Sequence, residues 1–159
     1  MVCMGNICRS PMAAAVLSNR TASWANPKIT VDSSGTGAWH IGHSAHPTSQ
    51  KVWEAAGYKH KHKARQFKST DFFTTDLILV MDSSNFKNIN DLALDDESRS
   101  KVFYLRSFDK TLQAIDPHSH DYFKLEVPDP YNQSIEAYQE VLLMIEQAVD
   151  GLLKELAHQ

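Results

Sequence analysis

The stretch that most constrains the fold is the first one, Val2-Cys3-Met4-Gly5-Asn6-Ile7-Cys8-Arg9-Ser10-Pro11. It sets a thiol and a guanidinium six positions apart, with Gly5 and Asn6 between them. These are the residue types that most readily carry a backbone through φ > 0. A loop of that kind turns successive N–H groups inward. Ser10 then reads as a helix cap and Pro11 as the first helical residue. Inward amides at a helix N-terminus form an anion cradle, and a forked Arg9 would hold an oxyanion there by short charge-assisted bonds. The same positive field acts on Cys3. Thiols in such surroundings drop from about 8.5 to roughly 3.5–7.5 in pKa, so Cys3 is expected to be largely thiolate, with the Ser10 hydroxyl donating to it. The spacing alone also fits a small buried cysteine; Gly, Asn and Ser-Pro in register favour the site.

The rest of the chain alternates strand and helix signals. Met12 to Asn19 is rich in Ala and predicts a helix packed on a sheet. Lys28 to Ser33 is β-branched and predicts a strand, ended by a loop at Ser34-Gly35-Thr36-Gly37. Thr48 to Ala56 predicts a helix closed by Gly57, with Val52, Ala55 and Ala56 inward. The continuous apolar run Leu77 to Met81 suits a parallel strand covered on both faces. A helix over Ser83–Leu94, a short turn opening at Asp95-Asp96-Glu97 and a last strand over Lys101–Leu105 follow. Ser134 to Ala157 places Ile135, Tyr138, Val141, Leu142, Ile145, Val149, Leu152, Leu153 and Leu156 on one helical face, a core stripe. This predicts a single doubly wound α/β domain over residues 1–159, a parallel sheet of about four strands with helices on both faces and ligands beyond the strands' carboxyl ends.

A net charge of -3 gives no footprint for nucleic acid or an anionic membrane. No apolar run approaches the ~20 residues that span a bilayer. The only cysteines are Cys3 and Cys8, which argues against a disulfide scaffold and for a reducing, cytoplasmic setting. Among the eight histidines, His40, His43 and His46 recur every third residue, but no Cys or acidic set completes a zinc spacing, so no metal is expected. The run Lys59-His60-Lys61-His62-Lys63 reads as a solvated face.

The stretch VCMGNICRSP resembles the phosphate-binding loop of the low-molecular-weight protein tyrosine phosphatases. Val31–Thr36, Trp39-His40-Ile41-Gly42, His62-Lys63-Ala64-Arg65-Gln66, Asp76–Asn85 and Val127-Pro128-Asp129-Pro130-Tyr131 resemble further family elements in the family's order. The resemblance implies a phosphotyrosine phosphatase that needs neither metal nor cofactor, with Cys3 as nucleophile, Arg9 holding the phosphoryl oxygens and Asp129 as general acid. It places Met4, Gly5, Asn6, Ile7, Cys8 and Ser10 in the substrate-binding loop, Trp39 and Tyr131 beside the phenyl ring, and Ser33 and His62 in support beneath. The partners implied are a phosphotyrosine-bearing protein and an oxyanion in the loop.

Some positions stay open at this level. Asp129 between two prolines is also an ordinary turn, Trp39 is also a core candidate, and the connection 109–126 either covers the cleft or is a surface excursion. Cys8 is either a buried small residue or, as in the family, a redox partner for Cys3. Relatives that act on phosphoarginine carry Thr where Ile7 stands, which favours phosphotyrosine. Two further readings compete: an arsenate-reductase-like enzyme, which would need cysteines after Cys8, and a catalytically weak phosphotyrosine-binding module. In the family the nucleophile ends a buried central strand, whereas only Met1 and Val2 precede Cys3. The first strand is therefore expected to be cut short, with the natural start several residues before Met1.

Overall fold

Successive residues of a strand face opposite ways, and the apolar run at 77–81 uses both directions. Ile78 and Val80 join one buried cluster with Val2, Phe72, Ile89, Val102 and Leu125. Leu79 and Met81 join the other, with Met12, Val16, Trp53, Tyr138 and Ile145. The structure is a computed structural model that describes residues 1–157; the last two positions of the expected domain lie outside the described residues. In chain order it contains β1 (Val2–Cys3), α1 (Arg9–Arg20), β2 (Ser34–Gly35), α2 (Pro47–Ala55), β3 (Ile78–Val80), α3 (Ser83–Leu92), α4 (Asp96–Ser100), β4 (Val102–Tyr104) and α5 (Ile135–Leu156).

The four strands pair in parallel in the order β2-β1-β3-β4. Helices α1, α2 and α5 cover one face and α3 the other, which is the doubly wound architecture. The order reverses beside β1, so the carboxyl ends of β1 and β3 open the crevice where such sheets take ligands. Helix α1 is buried from Met12 to Leu17 and is apolar on every side, as an interior helix must be. Helix α5 buries the middle of the predicted stripe from Tyr138 to Leu152, with Ile135, Leu153 and Leu156 half-buried against the core, and Gly151 lets it close on the turn at Phe108: a Cβ there would stand 1.7 Å from the Phe108 carbonyl oxygen.

Several boundaries differ from the sequence reading. Ser10 is not the cap of α1. The helix begins at Arg9 with Cys8 at the capping position, and Pro11 sits in the first turn, where a missing N–H leaves no helical bond unmade. Lys28–Ser33 is not a strand, and β2 falls instead where a loop was expected. The ladder begins with Ser34 N donating to the Met1 carbonyl at 3.0 Å and the Met1 amine to Asp32 O at 2.9 Å. Ahead of that point Ile29 and Val31 turn partly inward while Lys28 and Thr30 are exposed. β1 is correspondingly only two residues long. In α2 the buried side chains are Ser49, Val52 and Trp53, while Ala55 and Ala56 are exposed. The connection 109–126 covers the second core cluster through Leu112, Ile115 and Leu125. Among the described residues no helix is long and apolar enough to cross a membrane.

Candidate active site

The loop from Cys3 to Arg9 is shaped by what its carbonyls do. Cys3 O accepts from Thr36 N at 2.9 Å, Met4 O from Gly37 N at 2.9 Å, and Ile7 O from His46 N at 2.8 Å. Asn6 O accepts from His62 Nε2 at 2.6 Å and Cys8 O from Ser49 Oγ at 2.8 Å. A peptide is planar and trans, so a carbonyl tied away from the crevice aims the next N–H the other way. Those are the amides of Met4, Gly5, Ile7, Cys8 and Arg9, residues that line a cleft of about 160 Å³ together with Cys3, Trp39, His40, Asp129 and Tyr131.

The turn itself is made at Asn6, whose φ is +54°. Asn tolerates that region because its short amide can bond locally. Here Nδ2 donates to Ser10 Oγ at 2.8 Å and Ser33 Oγ at 3.0 Å, and Oδ1 accepts from Arg65 N at 2.9 Å. Gly5 does not take a positive φ; its missing side chain instead admits His40, whose ring carbon lies 3.0 Å from where a Cβ would be. Asn6 and Ser10, named with the substrate-binding loop, are both fully buried beneath it and do not line the cleft. Ser33 and His62 join them there as support.

Cys3 Sγ sits at the cleft floor, receiving the Asn6 N–H at 3.3 Å and lying 3.0 Å from Ser10 Oγ. Ser10 Oγ accepts from Asn6 Nδ2, and its own proton has two acceptors in reach, the sulfur at 3.0 Å and the Ser34 carbonyl oxygen at 3.5 Å. Arg9 is 2% exposed. Its Nη1 donates to Asp82 Oδ2 at 2.6 Å and Val127 O at 3.0 Å, and Nη2 lies 3.6 Å from Asp129 Oδ2. Burial by itself would weaken the guanidinium's hold on its proton, yet Cys3 and Asp82 beside it keep its pKa above the ordinary value. Its Nε–H is buried and has no acceptor among the described residues.

Asp129 is half-exposed at the mouth, with Oδ1 accepting from Tyr131 N at 3.1 Å. Trp39 is 70% exposed and belongs to the rim, not the core. Its indole lies over Gly37, where any Cβ would meet the ring at 1.8 Å. Cys8 is 4% exposed and faces Tyr138 OH at 3.8 Å; burial pushes its thiol up to about 12. Both cysteines are free thiols. Sequence reasoning missed His40 as a lining residue and Asp82 and Arg65 as anchors. Asp82 had a signal, an acidic residue ending an apolar strand just before a helix.

A parallel sheet with a sulfur and a buried guanidinium at its switch point defines a cysteine-centred oxyanion-binding α/β domain. The sequence pattern described as low molecular weight phosphotyrosine protein phosphatase matches residues 1–159, and the chain belongs to that family. The low molecular weight protein-tyrosine-phosphatase of Streptomyces coelicolor is 38% identical over 159 residues, covering 99% of this chain and 92% of its own. The crystal structure of a protein tyrosine phosphatase from Entamoeba histolytica with Hepes in the active site superposes at a TM-score of 0.86 and 31% identity, covering 99% of this chain and 94% of that one. The tyrosine phosphatase Wzb from Escherichia coli K30, solved with sulphate, gives a TM-score of 0.77 at 31% identity and covers 98% and 94%.

Proposed function

We propose that the chain hydrolyses phosphotyrosine in protein substrates through a cysteinyl-phosphate intermediate. The observation that carries this reading is the buried, unpartnered Nε–H of Arg9 in the wall of a cleft whose floor is the Cys3 sulfur. A tetrahedral dianion supplies the acceptor that such a donor lacks, and an unpaired buried donor is otherwise costly.

In the first step the Cys3 sulfur attacks phosphorus in line, the S–P bond forming as the P–O bond to the tyrosine breaks. Arg9 and the amides of Met4, Gly5, Ile7, Cys8 and Arg9 hold the equatorial oxygens in a site where reorganisation costs little. Asp129 gives its proton to the departing phenolic oxygen. In the second step Asp129, now a carboxylate, takes a proton from water, whose oxygen displaces the sulfur and releases inorganic phosphate. Trp39 and Tyr131 flank the mouth, a depth and chemistry that suit an aryl phosphate better than a shorter alkyl one.

The reading is tested by steady-state kinetics on peptides bearing phosphotyrosine, phosphoserine or phosphoarginine. Phosphotyrosine is expected to be turned over and the other two not. Cys3→Ser is expected to abolish turnover while the protein still binds inorganic phosphate; undiminished turnover by that variant overturns the proposal.

A further inference from the structure

The segment Lys59-His60-Lys61-His62-Lys63 alternates residue by residue: its histidines are half-buried and its lysines exposed. His60 meets Trp53 edge-on and stacks with His62, each at 6.1 Å between ring centroids. Alternation of this kind is the pleat of an extended chain. Inward histidines therefore put Lys59, Lys61 and Lys63 on one outward line. Side chains two residues apart on such a chain are spaced by about 6.5–7 Å, so the line is about 13–14 Å long.

One end of the line abuts the cleft. Gly42 N donates to Ala64 O and Ala64 N to His43 O, each at 2.8 Å. Lys63 Cε lies 3.9 Å from where a Cβ on Gly42 would stand, beside the turn that carries Trp39 and His40. Lys87 and Lys124 each pair with a carboxylate, whereas among the described residues none of these three lysines does. Glu54 shares a shallow depression with Lys59 and Lys61 without an ion pair to either, its carboxylate accepting from Gln50 Nε2 at 2.8 Å. A chain of net charge -3 thus carries three exposed lysines in one line leading away from the rim, with one carboxylate beside its far end.

We propose that Lys59, Lys61 and Lys63 dock an acidic, extended segment of the substrate protein that runs beside its phosphotyrosine. The inference rests on the phosphatase reading above. An extended peptide presents alternate side chains at the pitch of the lysines, so Asp or Glu at alternate positions can pair with them one for one. Continuity with the rim favours a tethered peptide. A net negative protein repels a membrane surface or a nucleic acid that lacks such a tether.

The test compares the parent with K59Q/K61Q/K63Q on a phosphotyrosine peptide with alternate acidic residues, on the same peptide with Gln in their place, and on p-nitrophenyl phosphate. On the acidic peptide kcat/KM should fall about tenfold, through KM, which is the sum of three exposed ion pairs of ordinary strength. The neutral peptide and p-nitrophenyl phosphate should be unaffected. The parent's preference for the acidic peptide should vanish at about 1 M salt, where charges are screened within about 3 Å. Equal kinetics of parent and variant on the acidic peptide, with p-nitrophenyl phosphate turned over by both, overturns the docking line and leaves the phosphatase reading standing. If the parent turns over neither, the phosphatase reading falls. Fluorescence anisotropy with the labelled acidic peptide then decides: weaker binding to the variant supports the line, and equal binding overturns it. Lysine-dependent sedimentation with vesicles of equimolar phosphatidylserine and phosphatidylcholine, without discrimination between the peptides, also overturns it.

Discussion

Arg9 Nη1 donates to Asp82 Oδ2 at 2.6 Å, and the other oxygen of Asp82 accepts from Asn85 N at 2.8 Å. One carboxylate thus restrains the guanidinium and caps α3. Asp82→Asn keeps a side chain able to cap but removes the charge facing Arg9. Its kcat/KM for p-nitrophenyl phosphate should fall roughly 100-fold, the effect of a group displaced by about 1 Å. Asp82→Ala should lose a further ~1 kcal/mol of unfolding free energy in urea from the missing cap. Unchanged kinetics in both variants would remove Asp82 from the account of Arg9.

The general acid is tested by the leaving group. Without Asp129 the phenolic oxygen departs unprotonated, a loss that matters most when that oxygen is strongly basic. Asp129→Ala should slow phenyl phosphate by about 10²–10⁴ and p-nitrophenyl phosphate by much less. A series of substituted phenyl phosphates gives the slope of log kcat against leaving-group pKa. Equal slopes in parent and variant would contradict the assignment.

Trp39 and Trp53 make opposite predictions from one residue type. Trp39 is 70% exposed over Gly37, and Trp53 is fully buried. Trp39→Ala should change stability by less than about 0.5 kcal/mol, as surface changes do, while raising KM for a phosphotyrosine peptide several-fold. Trp53→Ala should cost about 3–5 kcal/mol. Urea unfolding of both variants checks the contrast.

These two tryptophans also mark where the sequence was and was not readable. The strand at 77–81, the α5 stripe and the loop with its thiol and guanidinium were legible because each is a local pattern: a run, a period, a spacing; Asp129 was named only through the family resemblance. Asp82 and Arg65 were not, because their roles depend on segments brought together by the fold: Asp82 lies 73 positions from Arg9, and the Arg65 N–H that reaches Asn6 is 59 positions away. Ser10 was misread as the cap of α1, which begins one residue earlier at Arg9, whereas the expected approach of its hydroxyl to the Cys3 sulfur agrees with the 3.0 Å between them. Lys28–Ser33 carried strand propensity, but propensity alone makes no ladder, and the pairing with β1 falls at Ser34–Gly35.

His62 ties loop shape to pH. Burial lowers its pKa below the ordinary 6.5, against the opposing bond to Asn6 O. The unfolded chain therefore takes up a proton at a higher pH than the folded one. Stability is full above about pH 6.5 and is lost as pH falls from there toward the folded-state value. The urea midpoint should drop between about pH 7 and about pH 5 more steeply in the parent than in His62→Asn. Parallel pH profiles would show that His62 is not a source of that dependence.

Cys8 should be chemically quiet in the folded protein, since its thiol, pushed up to about 12, stays protonated at neutral pH. Iodoacetamide at neutral pH, followed by peptide mapping, should leave Cys8 unmodified in the native chain and label it in urea. Rapid native labelling of Cys8 would contradict the buried contact with Tyr138.

The central claim is that the phosphoryl group passes through the Cys3 sulfur. Acid quenching of Asp129→Ala during turnover of p-nitrophenyl phosphate, followed by mass spectrometry of the N-terminal peptide, tests it most directly. The account predicts one added HPO₃ unit on Cys3, absent from Cys3→Ser. Phosphate on another residue, or turnover that persists in Cys3→Ser, would contradict it.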